Sequence, residues 1–157
     1  MEKKVVTLTG ELGRPVINEI CETIHSHVGK DLVLIFTHTN IVLLEDYLVL
    51  VDVLNFARVN CRSVKAYFYG ILNFKHVALM QSVDSTMGEN SVLLIQCEDL
   101  CKLKPLHSST DELIKHTMYN IVDKLAYDGN GLSRDMLIEE DMLLTKQGCI
   151  ELGIIRK

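Results

Sequence analysis

The stretch YFYGILNFKHVALM, residues 67–80, has the pattern of a strand, a turn at Gly70 and an apolar helix. In several hydrolase folds, a nucleophilic serine lies at the head of the helix in such a segment. Here the corresponding positions hold Asn73 and Phe74, and neither side chain is a nucleophile. The segment therefore predicts an enzyme-like fold whose nucleophile is either elsewhere or absent.

The composition limits the class of protein. A chain of 157 residues suits one domain over 1–157, and 48% apolar with 24% charged residues is typical of globular proteins. The net charge is −5 and no basic run alternates with aromatic residues, so we expect no nucleic-acid partner. No apolar run approaches the roughly 20 residues of a membrane-spanning helix, so we expect no membrane partner either.

The five cysteines favour a reducing, cytoplasmic location over a disulfide framework, because their number is odd and their spacing irregular. Cys97 and Cys101 are four residues apart, but no second Cys or His pair completes a zinc set. We therefore predict free thiols, no metal site and no cofactor. The start, MEKKVVTLTG, lacks the apolar core of a signal peptide, so we expect no export.

Strand-like and helix-like segments alternate along the chain. The pattern predicts strands over 5–10, 31–37, 63–70 and 90–97, and helices over 16–28, 44–58, 72–81, 108–129 and 142–152. This alternation predicts an α/β fold with a largely parallel sheet.

The residues alone suggest no catalytic constellation. The chain has no G-x-S-x-G elbow, no GxGxxG fingerprint and no P-loop. Gly129 and Gly131 are placed to end a helix, and the histidines are scattered. The acidic cluster over 139–141 precedes a predicted helix, where the helix dipole favours negative charge.

The order of the segments nevertheless resembles the proteolytic subunit of the Clp protease, the ClpP family. The matching pieces are VVTLTGEL (5–12), LVLIFT (32–37), SVKAYFYG (63–70), NSVLLIQ (90–96) and DMLLTKQGCIELGII (141–155). The resemblance extends from about Val5 to Ile155. It implies the ClpP/crotonase fold, in which ββα units wind into a spiral within one domain and subunits assemble into rings.

The resemblance places the family's catalytic triad on three residues that cannot perform its chemistry. The nucleophile position, four residues after Gly70, falls on Phe74; the base position falls on Gln96, and the aspartate position on Leu137. A phenyl ring cannot attack a carbonyl, a glutamine amide cannot accept a proton near neutral pH, and leucine cannot orient a base.

The oxyanion-binding loop of the family is also altered. Its paired glycines after the second strand are replaced by THTNIV, residues 37–42, which includes Asn40 and Ile41. Without those glycines the loop loses the close backbone approach that an oxyanion hole needs. We therefore regard Asn40, Ile41 and Gly70 as a vestigial oxyanion region.

Two further departures bear on assembly. The chain starts almost at the first strand, so we expect no axial-gate segment of the kind that helps to dock an ATPase ring. The region matching the family's handle, about 97–130, is short. Both argue against ATPase docking and a two-ring chamber, and favour a single ring or a smaller homo-oligomer.

The sequence thus favours a catalytically inactive ClpP-like pseudoprotease that acts as an oligomeric scaffold or as a regulatory partner of an active ClpP. Two alternatives stay open: a serine-type peptidase or acyl-transfer enzyme with a relocated nucleophile, and a module that binds peptides or small ligands in the vestigial cleft. The helix containing YLVLVDVLNF is apolar beyond one stripe, so Leu48, Val51 and Leu54 are candidate interface residues.

Overall fold

The computed structural model of the chain describes residues 3–96 and 141–155, together with His116, Asn120 and Asp123. The strands are β1 (Lys3–Glu11), β2 (Asp31–Asn40), β3 (Ser63–Tyr69), β4 (Ile71–Asn73), β5 (Asp84–Met87), β6 (Val92–Ile95) and β7 (Met142–Thr145). The helices are α1 (Arg14–Ser26), α2 (Leu44–Asn60), α3 (Phe74–Ser82) and α4 (Lys146–Glu151).

Four parallel strands in the order β1-β2-β3-β5 form the main sheet. The helices α1, α2 and α3 connect these strands in turn, and each connection steps to the next position in the sheet. Because crossovers are right-handed, steps in one direction place all three helices on the same face. Contacts of α2 with both α1 and α3 agree with this. The predicted α/β class with a largely parallel sheet is confirmed.

The core lies between the main sheet and these helices. From β2 it receives Leu32, Leu34 and Phe36, which are all fully buried, and Phe36 stacks on Phe68 of β3 with ring centroids 4.6 Å apart. On the other face of the same strand Val33 is buried and Ile35 half-buried, so the apolar run over 31–37 is a strand covered more fully on its helix side.

A second sheet contains β4, β6 and β7, with β4 parallel to β6 and β6 antiparallel to β7. Gly70 joins β3 of the main sheet to β4 of the second sheet, and its φ of 103° suits a glycine. Gly88 lies between β5 of the main sheet and β6 of the second. The helix α3 contacts strands of both sheets, and a single hydrophobic core includes residues from both.

Three local predictions are wrong. The helix predicted over 72–81 begins at Phe74, because Ile71–Asn73 pairs with β6 instead. The strand β5 is not predicted at all. The helix predicted over 142–152 is a strand in its first four residues, since these pair antiparallel with β6. The helical part that follows ends at Glu151, and Gly153, with a φ of 75°, lies just beyond its cap residue Leu152.

Several predictions concern residues that the structure does not describe. Cys97, Cys101, Gly129, Gly131, Leu137 and residues 139–140 lie outside the described residues, as does most of the handle region over 97–130. Within the helix predicted over 108–129, the three described residues are helical, and the Asn120 amide lies 3.2 Å from His116 Nε2. Of the helices described, none has the length and apolar character that crossing a membrane requires.

Candidate functional site

The candidate site lies at the carboxyl ends of β2 and β3, beside the head of α3. Ligand and catalytic groups in parallel α/β sheets occur at this edge, because the loops that follow the strands meet there. Asn40 ends β2, Gly70 follows β3, and Phe74 begins α3. The fold therefore brings the predicted oxyanion region and the predicted nucleophile position to the same edge of the sheet.

Phe74 is fully buried. Its ring belongs to the core that surrounds α3, so the inward-facing position at the head of this helix contributes packing and no reactive group. Phe74 is therefore a core residue. Its equivalence to a nucleophile of the ClpP family stays a prediction.

The first turn of α3 is held by a reciprocal cap between Asn73 and His76. Asn73 Oδ1 accepts a hydrogen bond from the Lys75 backbone N–H at 3.0 Å, and the Asn73 backbone N–H donates to His76 Nδ1 at 3.1 Å. Two of the N–H groups that every helix start leaves without a helical partner are satisfied in this way. The sequence signal for this cap is Asn followed three residues later by a polar side chain.

The same histidine joins α3 to β2. His76 is 3% exposed, and its Nε2 lies 3.0 Å from the Thr39 carbonyl oxygen and 3.2 Å from Thr39 Oγ1. Because the Thr39 carbonyl oxygen can only accept a hydrogen bond, this contact requires a proton on Nε2, and Nδ1 of a neutral imidazole is then the acceptor for the Asn73 N–H. In this tautomer His76 cannot take the proton of the Thr39 hydroxyl.

Lys75 points from α3 into the loop after β2. It is 9% exposed, and its Nζ donates to Asn40 Oδ1 at 2.6 Å and to the Ile41 carbonyl oxygen at 3.1 Å. An oxyanion hole presents N–H donors to a developing negative charge. Here the end of β2 and the residue after it present two oxygen acceptors to an ammonium group. These two groups therefore offer acceptors where an oxyanion hole would offer N–H donors.

The backbone of Gly70 is hydrogen-bonded and closely packed. Its N–H donates to Ser91 Oγ at 2.9 Å, and a Cβ at this position would lie only 2.6 Å from His38 Nδ1. His38 is the bulged residue of β2, since Thr9 pairs with Thr37 and Gly10 with Thr39. Its φ of 49° is left-handed, a conformation that non-glycine residues rarely adopt.

Gln96 follows β6 and bridges to the start of β7. Its Nε2 donates to Asp141 Oδ2 at 3.3 Å. Asn73 pairs with Leu94 between β4 and β6, so Phe74 and Gln96 come just after the paired residues at matching ends of neighbouring strands. The third predicted triad position, Leu137, lies outside the described residues.

The described cysteines offer no activated thiol. Burial raises the pKa of Cys149 to about 12, and burial is also the main cause of the raised pKa values of Cys21 and Cys61. A cysteine nucleophile needs a lowered pKa, because the thiolate is the reactive form. Over the part of the chain that the structure covers, no group of three or more His, Cys, Asp or Glu side chains is placed to hold a metal ion.

The proposed interface residues differ in their exposure. Leu48 and Val51 are half-buried and reach the surface of α2, whereas Leu54 is fully buried in the core. Leu54 is therefore removed from the candidate interface, because its side chain is already covered within the chain. Val49 and Val59 of the same helix are exposed and extend the apolar surface around Leu48.

Neither a scan against models of protein families nor a search among curated proteins found a match to this chain. The resemblance to the ClpP family accordingly stays a prediction.

Proposed function

We propose that the chain is a catalytically inactive ClpP-like protein that works as an assembled subunit, either as a homo-oligomeric scaffold or as an inactive partner of an active ClpP. The observation that carries the proposal is the head of α3. At the position where the resemblance expects a nucleophile, the chain has Phe74, whose ring is fully buried. A ClpP-like chain that hydrolysed peptides would need a reactive group at this position or a replacement nucleophile nearby.

Three polar groups at the head of α3 and after β3 support the proposal because each of them is already engaged. The Nε2–H of His76 is directed to Thr39, Lys75 Nζ to Asn40 and Ile41, and the Gly70 N–H to Ser91. These contacts stabilise the junction between β2 and α3. A base, an electrophile or an oxyanion donor would have to give up one of them before it could act on a substrate.

The strand arrangement supports the proposed spiral of ββα units. The run β3, Gly70, β4 and α3 places one strand in each sheet and then adds a helix. The next pair, β5 and β6, again contributes one strand to each sheet, with Gly88 between them. Repetition of this step is what a winding of ββα units requires.

The surface of α2 supports assembly. Val49 is 45% exposed and Val59 is 75% exposed, while the half-buried Leu48 and Val51 lie on the same helix. A surface helix in a monomer normally has a polar outer stripe. The exposed residues of α2 also include two charged ones, so the apolar surface is a set of exposed valines among charges, and such side chains are expected where another subunit covers part of the helix.

One contact favours the competing proposal of a relocated nucleophile. Thr39 Oγ1 lies 3.2 Å from His76 Nε2, a distance at which a hydroxyl can transfer a proton to a base. Donation from His76 Nε2 to the Thr39 carbonyl oxygen opposes this transfer, and both side chains are buried, with 7% of Thr39 and 3% of His76 exposed. A peptide carbonyl would have to reach the Thr39 hydroxyl at a buried position between β2 and α3.

The experiment that tests inactivity compares the wild-type chain with Thr39→Val, a substitution of similar shape that removes only the hydroxyl. Both proteins are incubated with fluorogenic peptides and with a fluorophosphonate, and the intact mass is measured. The proposal expects no hydrolysis and no added mass for either protein. Activity in the wild type that is lost in Thr39→Val would establish the relocated nucleophile instead.

A further inference from the structure

The strand β1 forms an open edge of the main sheet. It lies at the end of the strand order, and within the described part of the chain its outer side pairs with no other strand. It is nine residues long, and Val5 is 52% exposed. An edge of this length offers a row of backbone N–H and C=O groups to another strand, a feature that monomeric proteins usually block.

A groove with both apolar and polar lining residues accompanies this edge. A cavity of about 420 Å³ lies between β1 and α1. Its apolar lining includes Val6 and Leu8 from the strand and Val16 and Ile20 from the helix. A strand added to the edge would place alternate side chains over this groove, so backbone pairing and apolar burial would occur together.

We propose that the occupant of this edge is β1 of a second copy, paired antiparallel about a twofold axis at Thr7. The two main sheets then form one continuous sheet. This inference deepens the proposed scaffold, on which it rests for the expectation that the chain works as an assembly. A twofold contact of this kind is self-complementary and closes at two copies.

The charge pattern of β1 selects this register. Antiparallel pairing about Thr7 places Lys3 opposite Glu11 of the second copy, and the symmetry repeats this pair at the other end. An axis at Val6 would instead place Lys3 opposite Thr9, and an axis at Leu8 would leave Lys3 without an opposite residue in the strand. Opposite charges directly across a strand pair are stabilising, and so is a pair of threonines.

The same twofold axis also brings matching faces of the two sheets together. A twofold axis perpendicular to the sheet keeps the α1 helices of both copies on the same face. Val6 then lies opposite Leu8 of the second copy on the helix side, where both copies bring Val16 and Ile20. The apolar parts of the two grooves then lie side by side, while Thr7 meets its own counterpart on the other face.

Cysteine cross-linking at Thr7 tests the register. Directly opposed residues have Cα atoms about 4.5–5.5 Å apart, within the range that a disulfide tolerates. Thr7→Cys should therefore form a covalent dimer under mild oxidation or with a short bismaleimide. Thr9→Cys is the matched control, because Thr9 is also exposed on β1 but would lie roughly 13 Å from its counterpart along the strand.

The wild-type chain is measured in parallel to account for its own cysteines. A cross-linking yield for Thr7→Cys several times that of Thr9→Cys and of the wild type supports the register. Equal yields from the two variants, or no dimer from Thr7→Cys, would overturn it.

A charge exchange gives a second, independent test. Glu11→Lys should weaken dimerisation on the order of tenfold, because two attractive pairs per dimer become repulsive. Lys3→Glu combined with Glu11→Lys should restore the wild-type dissociation constant. A double variant no tighter than the single variant would overturn the pairing.

These results separate the inference from the function on which it rests. A multimer by native mass without cross-linking at Thr7 would refute the β1 pairing and leave the scaffold standing. Cross-linking at Thr7 in a chain that also hydrolyses peptides would support the β1 pairing and refute the proposed inactivity.

Discussion

The Nε2 atom of His76 lies 3.0 Å from the carbonyl oxygen of Thr39, so the head of α3 is hydrogen-bonded to the end of β2. The same ring accepts the Asn73 backbone N–H through Nδ1. One buried imidazole thus caps a helix and ties it to the main sheet. At the edge of an α/β sheet where catalytic groups are common, this histidine has a structural role.

Replacing His76 with alanine should therefore cost stability. The substitution leaves the Thr39 carbonyl and the Asn73 N–H without their side-chain partner, and each such buried loss costs about 1–3 kcal/mol. We expect His76→Ala to lower the free energy of unfolding by about 2–4 kcal/mol in urea denaturation. His116→Ala, at an exposed helical residue, should change it by no more than about 0.5 kcal/mol. Similar small changes for both would contradict the structural role.

Gly70 should not tolerate a side chain. An alanine would keep a φ of 103° and place its Cβ 2.6 Å from the His38 ring, so we expect a loss of at least about 2 kcal/mol. The double variant His38→Ala/Gly70→Ala should recover the part due to the ring but not the part due to the backbone. Gly13→Ala is the control, because its Cβ would meet only Pro15 Cδ at 3.8 Å. Strict additivity of the two substitutions would argue against the ring contact.

Acid should weaken the link between the starts of β2 and β3. Arg62 and Ser63 hydrogen-bond the Asp31 carboxylate and lower its pKa to about 2. Because the folded pKa lies below the unfolded value of about 3.9, ionised Asp31 stabilises the fold above that value, and the effect disappears as the pH falls toward 2.

Urea denaturation of wild type and Asp31→Asn across pH 2–7 measures this effect. The stability difference between the two should be constant above about pH 5 and should shrink below about pH 4. Arg62→Gln should show the same narrowing relative to wild type, since it removes the main cause of the shift. A difference that does not change with pH would rule out the carboxylate as its source.

The sequence predicts those elements whose pattern is local. The run over 31–37 is a strand because its apolar residues are continuous, and α1 is a helix because Ile17, Ile20 and Ile24 recur on one buried face. The missed strands depend on partners far along the chain. Three of the four residues of β5, DSTM, are polar, and the segment is a strand only through pairing with β3. The strand β7 pairs with β6 across a long sequence separation.

In the candidate site, too, the sequence predicts the features that depend on local pattern and misses those that depend on distant residues. Counting from Gly70 is enough to locate Phe74 at the head of α3. The contacts of His76 with Thr39 and of Lys75 with Asn40 join residues 37 and 35 positions apart, so no local pattern announces them. Apolarity along α2 predicts Leu54 as an interface residue, but the pattern does not distinguish the side of the helix that the core covers, and Leu54 lies on that side.

The apolar surface of α2 should be required for assembly beyond the β1 pair. Leu48→Glu places a charge on this surface, and burying an unpaired carboxylate between subunits is strongly unfavourable. We expect the variant to assemble into smaller species than the wild type in analytical ultracentrifugation. Val28→Glu introduces the same charge at an apolar residue that is 49% exposed outside α2, and should leave the assembly unchanged. Equal behaviour of both variants would remove α2 from the interface.

The native mass of the purified chain, alone and mixed with an active ClpP, tests the proposal that the protein works as an assembled subunit. We expect a multimer of the chain alone, at six or seven protomers for a closed ring or at a smaller even number if the β1 pair dominates, or else a mixed assembly with ClpP. A chain that stays monomeric at tens of micromolar and does not join ClpP would contradict it.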